Sequence, residues 1–198
     1  MANIDQKPSK YMYNLLHVLP SFSDEAKGCV NIIVEVSAGS INKYELINES
    51  GQLKLDRVGY SSLAYPFTYG AIPQTLDLDG DALDILLVNV TEPLIAGCVA
   101  EMRIIGGVKF TDEGEVDDKI IGVLVNDKRV DHITSLDQLG EHFKTETKYY
   151  LENYKALKRP GTPNTGAVGK FLSTEQALEV VRESMERYEK DYKPKLAD

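Results

Sequence analysis

Four aspartates lie within eight consecutive residues of this chain. They fall in residues 77–84, DLDGDALD, directly before an apolar stretch. Charges this dense repel, so the segment is either a solvated loop that uses Asp for its turns or a site for a hard cation. Carboxylate oxygens suit magnesium, manganese and calcium. An EF-hand calcium loop is excluded, because a loop starting at Asp77 needs Gly where Ala82 stands and Glu where Val88 stands.

A second acidic cluster occupies residues 112–118, DEGEVDD, and is followed by Lys119. By itself this composition is also typical of a solvated hairpin tip. Two acidic clusters at the ends of neighbouring strands can converge in space. Convergence would favour a site that holds several metal ions.

A β-hairpin is predicted around Gly51. If residues 49–51 form a three-residue loop with Gly51 in the left-handed conformation, Asn48 pairs with Gln52 across the hairpin. The pairing of every residue farther along the two strands follows from this register.

This register places Lys43 directly opposite Arg57. Like charges that face each other destabilise a sheet, so the pairing favours an anion bound between the two cations. The alternative is that both side chains diverge into solvent or pair with Glu35 and Glu45.

Other motifs for phosphate binding or nucleophilic catalysis are absent from the sequence. Residues 161–166, GTPNTG, begin like a P-loop, but Ala167 and Val168 follow where Lys and Ser or Thr are required. The three histidines have no metal-ligand spacing, and there is no G-x-S-x-G elbow. Water activated by a metal is therefore the favoured nucleophile.

The elements that must position these residues begin with short strands bounded by Gly, Pro, Asn or Asp. Their close spacing without helical periodicity predicts a mostly antiparallel barrel or a strongly curled sheet. The predicted strands are residues 31–36, 44–47, 53–58, 83–88, 99–105 and 119–125.

The hydrophobic period becomes helical in the last third of the chain. A serine followed three residues later by glutamine forms a capping box at Ser135 and again at Ser173. The boxes and the apolar spacing predict helices over residues 135–157 and 173–191. A segment rich in Pro and Gly, residues 158–170, is predicted to link them.

Length and composition predict one domain over residues 1–198, with residues 1–28 as an N-terminal extension. The chain is 42% hydrophobic and carries a formal net charge of −9, which argues against nucleic acid or an anionic membrane as a partner. Its two cysteines have no metal or redox spacing. No signal peptide or apolar span of roughly 20 residues occurs, so we expect a soluble, unprocessed, cytoplasmic protein.

From about Val30 to Lys155 the sequence resembles the soluble family I inorganic pyrophosphatases. The resemblance rests on ordered elements rather than on one aspartate motif. These are Glu35, residues 43–45, Asp56 with Arg57, residues 65–70, residues 79–84, Asp112 with Asp117 and Lys119, and Tyr154 with Lys155.

The resemblance implies a fold that is mostly β with α, a five-stranded OB-like β-barrel flanked by two C-terminal helices. It implies magnesium-dependent hydrolysis of inorganic pyrophosphate to two phosphates by a metal-activated water. Several Mg²⁺ ions would serve each active site, with Mn²⁺ or another divalent ion as an alternative. A homo-oligomer with pyrophosphate as its small-molecule partner is also expected.

The resemblance also implies a role for each matching site residue. Asp81 is the implied general base. The implied metal ligands are Asp79, Asp84, Asp112 and Asp117, supported by Glu35 and Glu45. The implied substrate-binding residues are Lys43, Arg57, Tyr65, Tyr69, Lys119, Tyr154 and Lys155.

The chain departs from the family pattern in three places. Ala82 stands where Pro or Glu is usual, which removes no implied ligand. Tyr149 and Asn153 stand where many bacterial members carry two interface histidines, so the usual hexamer is not expected by default. Residues 158–170 lack the usual strand with a tryptophan.

Two other functions remain open from the sequence. A metal-dependent hydrolase of nucleoside di- or triphosphates would need a base-recognition pocket, for which there is no clear signal. An OB-like module for single-stranded nucleic acid would need a basic groove with stacking aromatics, and the net charge argues against it.

Overall fold

The computed structural model describes residues 14–193, so residues 1–13 of the predicted N-terminal extension lie outside the described residues. The strands are β1 (Phe22–Asp24), β2 (Cys29–Val36), β3 (Asn42–Leu46), β4 (Leu53–Val58), β5 (Thr68–Ala71), β6 (Asp84–Leu87), β7 (Val99–Asp112), β8 (Glu115–Val116), β9 (Lys119–Leu124) and β10 (Ala167–Leu172). The α-helices are α1 (Leu15–Val18), α2 (Glu141–Asn153) and α3 (Thr174–Arg187). Short 3₁₀ turns occur at Glu25–Lys27 and Leu136–Leu139, and a π turn at Tyr188–Tyr192 follows α3.

Five strands close into a ring in the order β2, β5, β6, β9 and β7, because β7 pairs back onto β2. Neighbours in the ring are antiparallel except β6 and β9, which are parallel. Every residue of β2 is buried, as expected for a strand covered on both faces. The ring and its flanking helices α2 and α3 confirm the expected OB-like architecture.

Two groups of buried side chains hold the helices to the ring. Tyr150 and Leu151 of α2 pack with Phe67 and Phe110 in one group. Ala177 and Val181 of α3 belong to the other group, which includes residues of β2, β6 and β7. Each helix therefore buries its apolar face against a different part of the ring.

Gly70 lies where β5 runs too close to β2 for a side chain. A Cβ at this position would lie 2.1 Å from the carbonyl oxygen of Ile33. Ile33 and Gly70 both belong to paired strands of the ring, so a shift of either strand disturbs the register of β2 with β5. We predict that Gly70→Ala lowers the free energy of unfolding by about 3 kcal/mol, measured by urea unfolding.

Gly169→Ala is the matched control for this substitution. Gly169 lies in β10, outside the ring, and a Cβ there would lie 3.2 Å from the Cβ and 3.3 Å from the carbonyl oxygen of Lys109, both much longer than the 2.1 Å at Gly70. We expect a loss below about 1 kcal/mol there. Equal losses in the two variants would contradict the close-approach explanation for Gly70.

The β3–β4 hairpin corrects the predicted loop. The Ile47 amide donates to the Gln52 carbonyl at 2.9 Å, so Asn48 does not pair with Gln52 and the loop has one more residue than expected. A register shift between Lys43 and Tyr44 then places Lys43 opposite Arg57, as predicted. The register shift of one residue compensates for the extra residue in the loop.

The first predicted helix, residues 135–157, is wrong as a single element. The capping box at Ser135 is present, but it caps the 3₁₀ turn Leu136–Leu139. Gly140 follows with φ of +79°, a conformation that ends the turn before α2 begins. The second predicted helix is observed as α3 and its π turn, with the capping box at Ser173 intact.

The predicted link over residues 158–170 is wrong at its end, because β10 begins at Ala167 and pairs with β7. A strand therefore occupies this region without a tryptophan. Strands β1, β5 and β8 were also not predicted. None of the helices within residues 14–193 is long and apolar enough to cross a membrane.

Candidate active site

A cleft of about 250 Å³ opens where the β3–β4 hairpin, the loop before β6, the turn between β7 and β9, and the end of α2 meet. Every site residue predicted from the sequence lines this cleft. They are Glu35, Lys43, Glu45, Arg57, Tyr65, Tyr69, Asp79, Asp81, Asp84, Asp112, Asp117, Lys119, Tyr154 and Lys155.

The loop before β6 is held in shape by its own backbone. The Asp77 amide donates to the Asp81 carbonyl at 2.7 Å, and the Gly80 amide donates to the Asp77 carbonyl at 3.2 Å. Gly80 has φ of +95°, which disfavours any residue with a side chain. The Asp81 amide donates to Oδ1 of Asp79 at 3.0 Å. This tight turn brings two carboxylates of the first acidic cluster to the cleft wall.

Lys119 lies between the two acidic clusters. The parallel pairing of β6 with β9 sets Asp84 opposite Lys119. The Lys119 ammonium donates to the carboxylates of Asp84 and Asp117, and the residue is only 2% exposed. Burial opposes its charge, yet the two carboxylates raise the pKa of Lys119 above its ordinary value. Tyr69 also donates its hydroxyl proton to Asp84.

Asp112, at the end of β7, accepts hydrogen bonds from three side chains of the C-terminal third of the chain. It accepts from the Lys155 ammonium, from the Tyr154 hydroxyl at 3.2 Å and from the Thr165 hydroxyl at 3.0 Å. Burial opposes its charge, but these donors, led by Lys155, hold the pKa of Asp112 below its ordinary value. The chain beyond α2 is thereby tied to the second acidic cluster.

On the hairpin, the two opposed cations each have an acidic neighbour. Lys43 pairs with Glu45, which is one of the alternatives that the sequence left open, and Arg57 pairs with the adjacent Asp56. Burial opposes the charge of Lys43, while Asp84 and Glu45 raise its pKa. The repulsion between the cations is thus offset locally when no anion lies between them.

Two carboxyl groups in the cleft have strongly raised pKa values. Burial, with the charge of Asp84, raises the pKa of Glu35 to about 8, although Glu35 accepts a hydrogen bond from the Leu46 amide at 2.9 Å. Burial also raises the pKa of Asp117 to about 7, where the charge of Asp84 adds to it and that of Lys119 opposes it. A bound divalent cation would reduce the repulsion between these carboxylates and Asp84 and so favour their charged forms.

The donor set fits a hard divalent cation, although it does not form a ready-made cage. Within residues 14–193, no group of three acidic, histidine or cysteine side chains is arranged to hold a metal ion alone. Lys43, Lys119 and Lys155 instead occupy carboxylates of the cleft. The acidic side chains of the cleft offer carboxylate oxygens, which are the ligands that hard divalent cations prefer. The lysines would have to give up these carboxylates when a metal binds.

Several residues that line the cleft were not predicted from the sequence. Glu113 and Glu115 belong to the second acidic cluster, but no role was assigned to them. Tyr150 precedes Tyr154 by four residues, and this helical spacing was a signal that could have indicated it. Leu16 and Asn48 also line the cleft, and their contribution depends on long-range packing that carries no local signal.

Carboxylates that suit divalent cations lie beside cations and tyrosines that suit phosphate oxygens. This combination is the chemistry that metal-assisted phosphoryl transfer requires. The sequence model for inorganic pyrophosphatase matches residues 32–189. The chain therefore belongs to the inorganic pyrophosphatase family, whose members generally depend on divalent metal ions.

Relatives from distant organisms support this assignment. The chain is 42% identical over 159 residues to the inorganic pyrophosphatase of Geobacillus stearothermophilus, covering 80% of this chain and 93% of that protein. It is 40% identical over 158 residues to soluble inorganic pyrophosphatase 5 of Arabidopsis thaliana, covering 80% and 71%. The crystal structure of the Thermus thermophilus inorganic pyrophosphatase matches with a TM-score of 0.81 and 41% identity, covering 89% of this chain and 99% of that one.

Proposed function

We propose that this protein hydrolyses inorganic pyrophosphate to two phosphates and uses Mg²⁺ to do so. The observation that carries the proposal is the single cleft in which carboxylates from two acidic clusters lie beside lysines, an arginine and tyrosines. Family membership supports the same reaction. An acidic protein can bind a highly charged anion in this way, because carboxylates hold the metals and the metals hold the substrate.

Asp79, Asp84, Asp112 and Asp117 are the residues that would hold magnesium, with Glu35 and Glu45 supporting the ions or their waters. When bound, the ions neutralise phosphate oxygens and lower the pKa of the attacking water. The raised pKa values of Glu35 and Asp117 support this assignment, because they mark carboxyl groups whose charge is poorly compensated by the protein alone.

Asp81 is proposed as the general base. Burial raises its pKa above the ordinary value, and the charges of Asp79 and Asp84 add to that effect. A carboxylate of increased basicity accepts a proton from water more readily. The hydrogen bond from the Asp77 amide to the Asp81 carbonyl fixes the turn that carries the carboxylate.

The cations are proposed to hold the phosphate groups. Lys43 and Arg57 approach the cleft from the hairpin, Lys119 from β9, and Lys155 from the end of α2. Each ammonium now pairs with a carboxylate, so we propose that metal and substrate binding transfer the lysines to phosphate oxygens. Tyr69 and Tyr154 would donate hydroxyl protons to the same oxygens, and Tyr65 lines the wall beside them.

Arg57→Lys tests the phosphate clamp. The substitution keeps the charge but removes the planar fork that engages two phosphate oxygens, so we predict about a tenfold loss of kcat/KM for pyrophosphate. Steady-state kinetics at saturating magnesium measures the loss. Arg182→Lys is the matched control, because Arg182 pairs with Glu25 away from the cleft and should retain parental kinetics. Parental kinetics in Arg57→Lys would assign Arg57 a structural role.

Substrate choice is tested by phosphate release from pyrophosphate and from ATP. The cleft of about 250 Å³ is small and strongly charged, and the aromatic residues in its wall pack against one another. We expect release from pyrophosphate to be at least about tenfold faster than from ATP with magnesium. Equal or faster release from ATP would favour the nucleotide hydrolase. Oligonucleotide binding without phosphate release would favour the OB-like binding module.

The homo-oligomer, the cytoplasmic location and the single domain over residues 1–198 stay predictions. Tyr149, which stands where the family resemblance places an interface histidine, is 58% exposed. Sedimentation velocity measures the oligomeric state directly. A Tyr149→Ala variant with an unchanged sedimentation coefficient would exclude Tyr149 from the contact between subunits.

A further inference from the structure

The hairpin that carries Lys43 and Arg57 is not part of the main sheet. Among the described residues, 14–193, strands β3 and β4 pair only with each other, as a separate two-stranded sheet. A two-stranded hairpin alone is marginally stable in water. The position of its two cations therefore depends on the contacts that hold the hairpin to the rest of the protein.

The tip of the hairpin is held through the carbonyl oxygen of Asn48. This oxygen lies 2.7 Å from Nδ2 of Asn14 and 2.8 Å from Nε2 of His17. A carbonyl oxygen only accepts, so Nε2 of His17 carries the proton and donates it. Two side chains from the segment around α1 thus bind one backbone atom of the tip.

The His17 ring is itself fixed by the end of α3. Its Nδ1 lies 2.8 Å from the Tyr188 hydroxyl, which donates to the unprotonated nitrogen of the neutral ring. Burial lowers the pKa of His17, more than the bond to the Asn48 carbonyl raises it, and so favours that neutral form. The ring also stacks against Tyr188 and Tyr192, with centroids 5.9 and 5.4 Å away.

The same end of α3 anchors the loop that carries the aspartates. The Leu76 amide donates to the Ser184 carbonyl at 2.9 Å, and Nε of Arg187 donates to the Leu76 carbonyl at 2.9 Å. Arg187 also pairs with Asp77 at 3.3 Å. One stretch of helix, from Ser184 to Tyr188, therefore contacts the aspartate loop directly and the hairpin tip through His17.

We propose that His17 is a positioning residue, which sets the hairpin at a fixed distance from the aspartate loop by joining Tyr188 to the Asn48 carbonyl. The inference rests on the proposed function, because it gives Lys43 and Arg57 their place opposite the metal-binding carboxylates. His17 does not line the cleft, so we expect it to act through the hairpin rather than by touching the substrate. Its loss should therefore weaken substrate binding more than the chemical step.

His17→Phe and His17→Gln separate the hydrogen bond from the packing. Phe keeps a stacking ring but cannot donate, whereas the Gln amide can donate to the Asn48 carbonyl. We expect His17→Phe to raise KM for pyrophosphate at least about fivefold with kcat within about threefold of the parent, and His17→Gln to recover most of the loss. Tyr188→Phe removes only the hydroxyl and should raise KM less than His17→Phe does. It replaces His17→Phe as the test variant if His17→Phe does not fold.

Hydrogen exchange of the hairpin amides gives a readout that does not depend on activity. In His17→Phe, amides of residues 42–58 should exchange at least about tenfold faster, while those of β2 and β7 keep parental rates. Val181→Ala is the matched control, because it removes buried packing from the same helix without touching His17. It should lower the melting temperature but leave KM and hairpin exchange unchanged.

Unchanged hairpin exchange in both His17→Phe and Tyr188→Phe would overturn the inference. So would a KM rise in Val181→Ala equal to that in His17→Phe, or a His17→Gln variant as impaired as His17→Phe. Faster hairpin exchange in His17→Phe, together with a parent that releases no phosphate from pyrophosphate, would support the positioning role and reject the proposed function.

Discussion

Replacing Asp81 by Asn is expected to lower kcat for pyrophosphate by about a hundredfold to ten-thousandfold while the protein stays folded. The amide has nearly the shape of the carboxylate, but it cannot accept the proton of the attacking water. The backbone bond from the Asp77 amide to the Asp81 carbonyl does not involve the side chain, so the turn should persist. Phosphate release at saturating magnesium, with circular dichroism as a check of folding, measures the effect.

Asp131→Asn is the matched control for the loss of a carboxylate. Asp131 is exposed, pairs with Lys128 and lies outside the cleft. Its activity should equal that of the parent. A kcat within about threefold of the parent in Asp81→Asn would exclude Asp81 as the general base.

The pairing of Lys43 with Arg57 was predicted correctly, but local sequence rules did not predict the loop length or the strand irregularity behind it. The predicted register assumed a three-residue loop and regular pairing along both strands. The loop is longer, and an irregularity between Lys43 and Tyr44 restores the pairing of the two cations. Turn chemistry predicts a hairpin, but a bulge in a strand has no comparable sequence signal.

The contact of Lys119 with Asp84 could not be derived from local sequence. Its partner Asp84 is 35 residues away and comes opposite it only because β6 and β9 are parallel neighbours. From the sequence, carboxylates this dense are expected to repel one another. The structure instead shows a buried lysine joining Asp84 and Asp117, so part of that repulsion is already offset.

The break at Gly140, between the 3₁₀ turn and α2, was also not predicted from local sequence. The capping box at Ser135 correctly marks a helical start, yet the helical spacing that follows does not reveal the break at Gly140. Gly140 with φ of +79° ends the turn, and α2 then packs Tyr150 against the ring. Strand β10 escaped prediction because it pairs with β7 far away in sequence and has mostly accessible side chains.

Magnesium is expected to raise the melting temperature clearly, and a chelator to lower it. A cation that binds only the folded protein adds about 2.7 kcal/mol at a hundredfold excess over Kd. For a chain of this size that corresponds to about 5 to 10 °C. Sodium chloride at equal ionic strength should do much less, because screening does not replace a bound divalent ion. Differential scanning calorimetry compares the three conditions.

Asp84→Ala and Asp118→Ala separate metal binding from ordinary ion pairing. Asp84 is a proposed ligand and also a partner of Lys119, so its loss should lower the metal-free melting temperature and shrink the magnesium increment. Asp118 is buried and pairs with Lys109, but it does not line the cleft. Asp118→Ala should therefore lower the melting temperature with and without metal by the same amount. If magnesium raises the melting temperature of both variants equally, Asp84 is not a metal ligand. If magnesium does not change the melting temperature of the parent, the proposed metal site is wrong. The lysine pairs would then be the permanent partners of these carboxylates rather than the partners that metal binding displaces.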